Sequence, residues 1–387
     1  MFNVLTLNKI SESGLSNFGG NYACSSDEKN PDAILVRSAS MHDMELSEKT
    51  IAIARAGAGV NNIPLDACTE KGIVVFNTPG ANANAVKELV LCSLLLTSRK
   101  ILPAIEWAKT LKGEGDAVSK LVEKGKSAFA GPEIKGKKLG VIGLGAIGVL
   151  VANAAHSLGM EVYGYDPFLS LDSAWSLSRA INHANSLDEI FSSCDYITLH
   201  VPLNNDTRDL VSTKTIATMK DNVRILNFAR GELVNSADII EALEGGKVAA
   251  YATDFPSDDL IGVNGVIAIP HLGASTPESE ENCAFMAVDE IKDFLENGNI
   301  VNSVNLPTVC VPRTGRTRIT IIHKNVPNVI SKITTAVANE NINIDNMVNK
   351  SRGEFAYTML DTDADVSKEA LDAISAIECS VRVRVIK

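Results

Sequence analysis

Apolar residues recur along this chain in two rhythms, short unbroken runs and runs spaced by three and four. Residues 33–36, 51–54 and 73–76 are unbroken apolar runs, the pattern of strands covered on both faces. Between the last two, residues 64–71 predict a helix opened by Pro64 and closed by Gly72. Residues 84–121 predict a long helical region. Beyond it, strands are expected at 138–142, 161–165, 196–200, 223–228, 248–253 and 266–269, with helices between most of them. Ser186 followed by Glu189 is the signature of a capping box, and a helix over 236–243 is stopped by Gly245 and Gly246. This alternation predicts an α/β fold with two doubly wound parallel sheets, whose right-handed crossovers leave ligands at the carboxyl ends of the strands.

The pattern changes near the end. Residues 276–297 predict one more helix, with Glu278, Glu280, Glu281, Asp289 and Glu290 on a face that reads as solvated surface. Residues 302–316, with Pro307, Pro312 and Gly315, read as a linker. After it come a strand at 318–322, a helix at 327–339, strands at 343–349 and 355–360, a helix at 367–376 and a strand at 381–386. This β-α-β-β-α-β order is that of a small ferredoxin-like α+β module over 317–387. It carries no obvious catalytic residue, so regulation or assembly is its expected use. The expected domains are 1–96 with 275–301, then 97–274, then 317–387.

One junction carries chemistry. The strand ending at Ile142 runs into Gly143-Leu144-Gly145-Ala146-Ile147-Gly148, and Ile147, Leu150, Val151, Ala154, Ala155 and Leu158 then repeat at helical spacing. Gly143 suits a tight turn, Gly145 a close approach to a pyrophosphate, and Gly148 close packing of helix on strand. The N–H groups and partial positive charge at the helix start, around Ala146 and Ile147, favour phosphate. The next strand ends at Asp166, 23 residues after Gly143. That carboxylate is placed to bind both ribose hydroxyls of NAD and to repel the 2′-phosphate of NADP.

Composition narrows the setting. With 387 residues the chain is too long for one ordinary core. A net charge of −11 argues against nucleic acid as the main partner. The seven cysteines include no C-x-x-C pair, which fits reduced thiols in a cytoplasm better than disulfides or a metal site. The most apolar run, 89–96, is far too short to span a membrane, and residues 1–6 read as a strand and not as a signal peptide.

Three segments follow strands on the expected cofactor side: 227–232, 253–259 and 269–274. Arg230 in the first offers a planar fork to a carboxylate or a carbonyl oxygen. Of the six histidines, His271 in the third is the best candidate base, since an imidazole exchanges protons with an alcohol near neutral pH.

These motifs, together with Arg55 to Asn62, Asn77-Thr78-Pro79, His200-Val201-Pro202-Leu203, Asn227 to Gly231 and Pro270 to Thr276, resemble those of the D-isomer-specific 2-hydroxyacid dehydrogenases. Within that family the resemblance is to the phosphoglycerate dehydrogenases that begin serine biosynthesis, and the motifs lie between residues of about 35 and 280. It implies an NAD-dependent oxidation of 3-phospho-D-glycerate to 3-phosphohydroxypyruvate, with Arg230 and His271 catalytic. It implies a substrate side made of Arg55, Ala56, Gly57, Ala58 and Asn77, with the two domains closing before reaction. His200, Val201, Pro202, Ala229, Asp254, His271 and Gly273 are expected to join the glycine loop around the cofactor. Arg55, then Arg37, Lys87, Lys124 and Lys126, are the cations expected for a substrate phosphate. The tail resembles an ACT domain, which implies L-serine as effector at His323, Asn325 and Asn343 of a paired interface, in a homodimer or homotetramer.

Two departures stand out. The family's glutamate partner of the histidine is missing, and Asp258 matches its place if one residue is deleted, whereas Asp259 matches by simple counting. Asn328 stands where such ACT domains carry glycine. The competing readings are a dehydrogenase for another D-2-hydroxy acid, such as 2-hydroxyglutarate, and a dinucleotide-sensing corepressor-like protein.

Overall fold

Three sheets organise the chain, described over residues 1–387 by a computed structural model. The first has five parallel strands, in spatial order Tyr22–Ser25, Phe2–Leu7, Ala33–Val36, Ala52–Arg55 and Val74–Asn77. Ala33–Val36 is buried at every position, which is why its sequence never alternates. Tyr22–Ser25 is an edge strand exposed at three of four positions, so no apolar pattern announced it.

The second sheet has seven parallel strands, in the order Val266–Ala268, Val248–Thr253, Val223–Asn227, Tyr196–Leu199, Lys138–Ile142, Glu161–Tyr165 and Asn182–His183. Chain order reverses between Lys138–Ile142 and Tyr196–Leu199, and a sheet of this kind opens a ligand crevice at such a point. The loops leaving these two strands start in contact, with the His200 N–H donating to Ile142 O at 2.7 Å.

The chain forms two compact units, residues 1–82 with 277–387 and residues 83–276. The helix Ala83–Ser98 therefore belongs with the cofactor sheet, not with the first sheet as the expected boundary at 96 had it. Its buried side, Val86, Val90 and Leu94, packs in one cluster with Val141, Val149 and Val151. The expected helix over 84–121 is broken into Ala83–Ser98, Ile101–Thr110 and Val118–Gly125. Pro103 fits only the first turn of a helix, which forces a restart at Ile101, and Gly113 and Gly115 turn the chain with φ of 103° and 52°. At Ser186 the capping box is half formed. Ser186 Oγ accepts the Glu189 N–H at 3.2 Å, but Glu189 reaches back to the Asn185 N–H instead.

The third sheet is antiparallel, in the order Ile344–Arg352, Phe355–Thr362, Thr317–Lys324 and Ser380–Ile386. One face carries the helices Val329–Ala338 and Lys368–Ser375, which enclose Ile319, Ile321, Ile333, Leu360 and Ile374. Its other face is not free. Ile322, Tyr357 and Met359 join a core with Phe76, Phe294, Leu295, Ile300, Leu306 and Val309 of the first unit. The expected linker is part of this seam, because Leu306 and Val309 are buried and Ile300 pairs with Val309 through the backbone. Arg384 donates to Phe294 O and Leu295 O, Tyr357 to Gly298 O, and Arg382 to Lys71 O and Glu48 O. The small module is thereby fastened to the Pro277–Asn297 helix end and the first sheet.

Candidate functional site

In the unit of residues 83–276 the glycine loop is built by backbone constraints. Gly143 has φ 91°, and a Cβ there would come within 2.5 Å of His200 O. A Cβ on Gly148 would lie 1.9 Å from Gly143 O, so helix and loop can approach this closely only with glycine. On Gly145 it would meet open space, which leaves the backbone accessible at the start of the Ala146–Ser157 helix. Gly145 supplies no side-chain cap, so the N–H groups of the first turn remain available to an anion. Asp166 closes the loop: its two oxygens accept the N–H groups of Leu144 and Phe168, each at 2.8 Å. Each oxygen keeps a lone pair for a ribose hydroxyl. These residues fit a dinucleotide.

His200 lies beside this loop. Its Nε2 meets Thr198 Oγ1 at 2.9 Å, its Nδ1 is buried without a partner, and burial lowers its pKa to about 4. It is therefore neutral at physiological pH and offers polarity rather than charge. Val201 packs on the neighbouring core, and Pro202 O accepts the Thr207 hydroxyl at 2.6 Å.

The reactive candidates converge at the ends of Val223–Asn227 and Val248–Thr253. Asn227 is fully buried and donates to Arg230 O at 2.8 Å, which shapes the turn through Ala229. Arg230 is exposed, and its guanidinium donates only to its own Ala229 O. Asp254 is buried: Oδ2 accepts the Gly273 N–H at 3.0 Å, its carbonyl accepts the His271 N–H at 3.0 Å, and Oδ1 has no partner. Burial raises the Asp254 carboxyl, the Gly273 bond opposes that, and the charges of His271 and then Arg230 also pull it down. Arg230, Asp254, His271 and Gly273 are thus brought together. His271 is exposed at φ 35°, a conformation costly for a side chain, with its ring 5.0 Å from that of Phe255. Asp258 and Asp259 are also exposed, and neither forms an ion pair with His271. Asn227 and Phe255 were not singled out from sequence, although Asn227 in a buried strand end is a legible sign of a shaped turn.

The first unit carries the other set. Arg55 Nε donates to Arg37 O at 2.9 Å and its guanidinium reaches Gly59 O. The Gly57 N–H donates to Thr78 Oγ1 and Asn77 Nδ2 to Ala58 O, at 2.8 and 2.6 Å. The Ala56 N–H is used by Val36 O, whereas that of Ala58 makes no bond within the protein. Arg37 pairs with Glu280 at 2.7 Å. The charges of Arg37 and Arg55 both act on the Cys283 thiol, which burial raises, so the two arginines surround one spot beside Thr78. Lys87 bonds Asn84 and Lys126 pairs with Glu123, both on their own helices or turns.

In the small module His323 is buried, with Nδ1 against Lys324 O and Nε2 against Thr358 Oγ1. Asn325 and Asn343 are exposed, and their side-chain amides donate to Gly353 O and to Asp345 Oδ1, at 3.4 and 3.1 Å. His323 pairs with Ala356 and Ile344 with Thr362, at opposite ends of one strand. Six residues of strand separate them by roughly 20 Å. One copy of the module does not unite His323 with Asn343. Asn328 has φ 68° and so adopts the left-handed conformation for which glycine is usual. No group of three or more His, Cys, Asp or Glu side chains is placed to hold a metal, and no helix is long and apolar enough to cross a membrane.

Comparison with known proteins agrees with this architecture. The model of the D-isomer specific 2-hydroxyacid dehydrogenase NAD binding domain matches residues 92–273, and that of the ACT domain matches residues 317–379. The D-3-phosphoglycerate dehydrogenase of Haemophilus influenzae is 33% identical over 355 residues, covering 89% of this chain and 83% of that protein. That of Escherichia coli K12 is 32% identical over 353 residues, covering 88% and 82%. The crystal structure of NAD+-bound 3-phosphoglycerate dehydrogenase from Entamoeba histolytica superposes with a TM-score of 0.60 at 26% identity, over 79% of this chain and 98% of that one. The apo D-mandelate dehydrogenase of Rhodotorula graminis shares the fold, with a TM-score of 0.67 at 24% identity over 81% of this chain and 99% of that one. The chain belongs to the D-isomer-specific 2-hydroxyacid dehydrogenases, among the NAD-dependent D-3-phosphoglycerate dehydrogenases that carry an ACT domain.

Proposed function

We propose that this chain oxidises 3-phospho-D-glycerate to 3-phosphohydroxypyruvate, the first step of L-serine biosynthesis. The observation that carries the reading is the convergence of Arg230 and His271 on buried Asp254, at the carboxyl end of the same sheet whose Lys138–Ile142 strand leads into the glycine loop. NAD held there supplies the hydride acceptor. Leu144 to Gly148 and Asp166 hold its phosphates and ribose, with His200, Val201, Pro202 and Ala229 alongside. The unpartnered Asp254 Oδ1 suits an amide donor such as a carboxamide. His271 takes the proton of the substrate hydroxyl, and the Arg230 fork holds carboxylate and developing carbonyl. Asp258, exposed beside Phe255, the ring partner of His271, remains our candidate to orient His271, with Asp259 as its substitute. Arg55 and Arg37 are the cations for the phosphate, Arg37 exchanging Glu280 for it, and the open Ala58 N–H is a donor for the carboxylate.

We assign the ACT domain to L-serine, bound by His323 and Asn325 of one copy and Asn343 of a second, in a homodimer or homotetramer. The separation of these residues within one copy supports that arrangement. We place the protein in the cytoplasm, where its seven unpaired thiols stay reduced. The test is NADH formation at 340 nm by purified protein with 3-phosphoglycerate, D-lactate, D-glycerate or 2-hydroxyglutarate. The reading requires the highest kcat/KM with 3-phosphoglycerate. A higher value with 2-hydroxyglutarate makes it a different dehydrogenase, and no reduction with any of them leaves a sensing protein.

A further inference from the structure

The Pro277–Asn297 helix does not present all its polar residues to solvent, as the charge pattern suggested. Glu290 is 8% exposed and accepts the Asn302 side-chain amide at 2.8 Å, and nearer the start of the helix Ser279 and Cys283 are buried as well. Through these residues the helix holds the chain where it leaves the Val74–Asn77 strand. Asn302 O accepts the Asn77 N–H at 3.3 Å, and Cys283 meets the next residue, Thr78.

Thr78 is fully buried. Its hydroxyl carries one proton and can also accept. Oγ1 accepts the Gly57 N–H at 2.8 Å, and the Thr78 N–H donates back to Gly57 O at 3.2 Å. The Gly57 N–H is shared with Arg55 O, also at 2.8 Å. The hydroxyl proton goes the other way, to the Cys283 sulfur. Burial raises the Cys283 thiol, and the hydroxyls of Thr78 and Ser279, donating to that sulfur, oppose the rise. Thr78 thus turns its proton toward the helix and a lone pair toward the loop of residues 56–58.

That loop bends at the residue least able to stiffen itself, since Gly57 sits at φ 152°. Thr78 holds the peptides on both sides of it, one through Oγ1 and the other through Gly57 O. In a trans peptide the carbonyl and the N–H point in opposite directions, so anchoring Gly57 O on Thr78 turns the Ala58 N–H away from Thr78. Ala58 is exposed and its N–H makes no bond within the protein, whereas the N–H groups of Ala56 and Gly57 are both used. Asn77 Nδ2 then fixes Ala58 O at 2.6 Å.

We propose that Thr78, its hydroxyl seated by Cys283, is a positioning residue for the substrate carboxylate: it fixes the peptides flanking Gly57 so that the Ala58 N–H faces outward as a ready donor. The proposal rests on the reading of residues 56–58 as the carboxylate-binding loop. Without this clamp the glycine is ordered only when substrate binds, so the loss falls on substrate affinity and not on turnover.

The experiment measures KM for 3-phosphoglycerate, kcat and NADH affinity by fluorescence in the wild type, Thr78→Val, Thr78→Ser, Cys283→Ala and Ala58→Pro. Thr78→Val keeps the shape and the backbone N–H but lacks the hydroxyl. Its KM rises about fivefold, the loss of one net hydrogen bond, while kcat and NADH affinity stay at the wild-type values. Thr78→Ser restores the hydroxyl and brings KM back to within about twofold of the wild type. Cys283→Ala removes the acceptor of the hydroxyl proton and raises KM about twofold. Ala58→Pro removes the outward N–H itself and raises KM with NADH affinity unchanged. A wild-type KM in Thr78→Val, with Ala58→Pro impaired, overturns the proposal and leaves the reading of the loop intact. An unimpaired Ala58→Pro overturns both. Parallel losses of KM, kcat and NADH affinity in Thr78→Val, or no rescue by serine, make Thr78 a residue of the core alone, and melting curves of the same variants register that loss separately. A wild-type KM in Cys283→Ala removes Cys283 from the arrangement.

Discussion

Arg230 and Arg318 show how differently two regions use one side chain. Arg230, at a strand end of the cofactor unit, is exposed and donates only to the adjoining Ala229 O. Arg318, in the seam under the ACT sheet, is fully buried and engages all of its donors. Its Nε and one terminal nitrogen grip Asp361 at 2.6 and 2.8 Å, and the remaining donors meet Asn297 O, Val311 O and Pro312 O. Burial alone would raise the Asp361 carboxyl, but the Arg318 bonds and the Thr314 N–H hold it below its usual value. An arginine kept free is available to a ligand, and one fully consumed is a fastener.

The sharpest way to break this contrast is at the free end. His271→Ala should lower kcat by roughly 10²–10⁴-fold, the range for losing a positioned acid or base, while NADH binding by fluorescence persists. Arg230→Lys should also be severe, since an ammonium replaces a bidentate fork by a point charge. Near-normal kcat/KM in the lysine variant would show that Arg230 is not the carboxylate fork.

At the consumed end the loss should appear in stability. Arg318→Met leaves Asp361 buried without its partner, which costs about 3–5 kcal/mol. Urea unfolding should show it, whereas kcat of the folded fraction stays close to wild type. Deleting residues 306–387 should be worse, because it uncovers Phe294, Leu295 and Ile300. A shortened protein that melted like the full chain would mean that the seam contributes nothing to the first unit.

The two regions also differ in how far they could be read in advance. The glycine loop was legible because each glycine answers a local backbone demand, as the close approaches of Gly143 and Gly148 to neighbouring carbonyls show. The order of elements in the ACT domain was legible for the same reason, and even Asn328 takes up the glycine-like conformation. The seam was not legible. Arg318, Arg384 and Tyr357 bond to carbonyls 21, 90 and 59 residues away, and no periodicity encodes such pairs. Glu290 misled for a related reason. A glutamate among exposed acids on a helix looks solvated until the segment carrying Asn302 folds over it.

Cofactor selection gives a smaller effect that sharpens the local side of the contrast. Asp166→Ala removes the acceptor of the Leu144 N–H as well as the ribose anchor proposed for it. NAD affinity should fall by about 1.5–3 kcal/mol, as for a hydrogen bond to a charged group, and discrimination against NADP should relax. Competition titrations of both dinucleotides would measure this, and unchanged NADP discrimination would remove Asp166 from that role.

The smallest expected effect concerns Asn328. At φ 68° it begins the Val329–Ala338 helix, and its side chain makes no capping bond. A left-handed conformation costs an ordinary L-residue about 1–2 kcal/mol, and asparagine is among the residues that visit it most readily. Glycine would remove the remaining Cβ strain but would also gain freedom in the unfolded chain, worth about 0.4–1 kcal/mol in the opposite direction. Asn328→Gly should therefore change stability by less than about 0.5 kcal/mol, and calorimetry on the intact protein can resolve the sign. The turn should also keep its shape, so L-serine binding, if the ACT domain takes that effector, should be the same in the variant. A variant that gained serine binding absent from the wild type would show that asparagine distorts the turn, and that its backbone angle alone does not make it the equal of glycine.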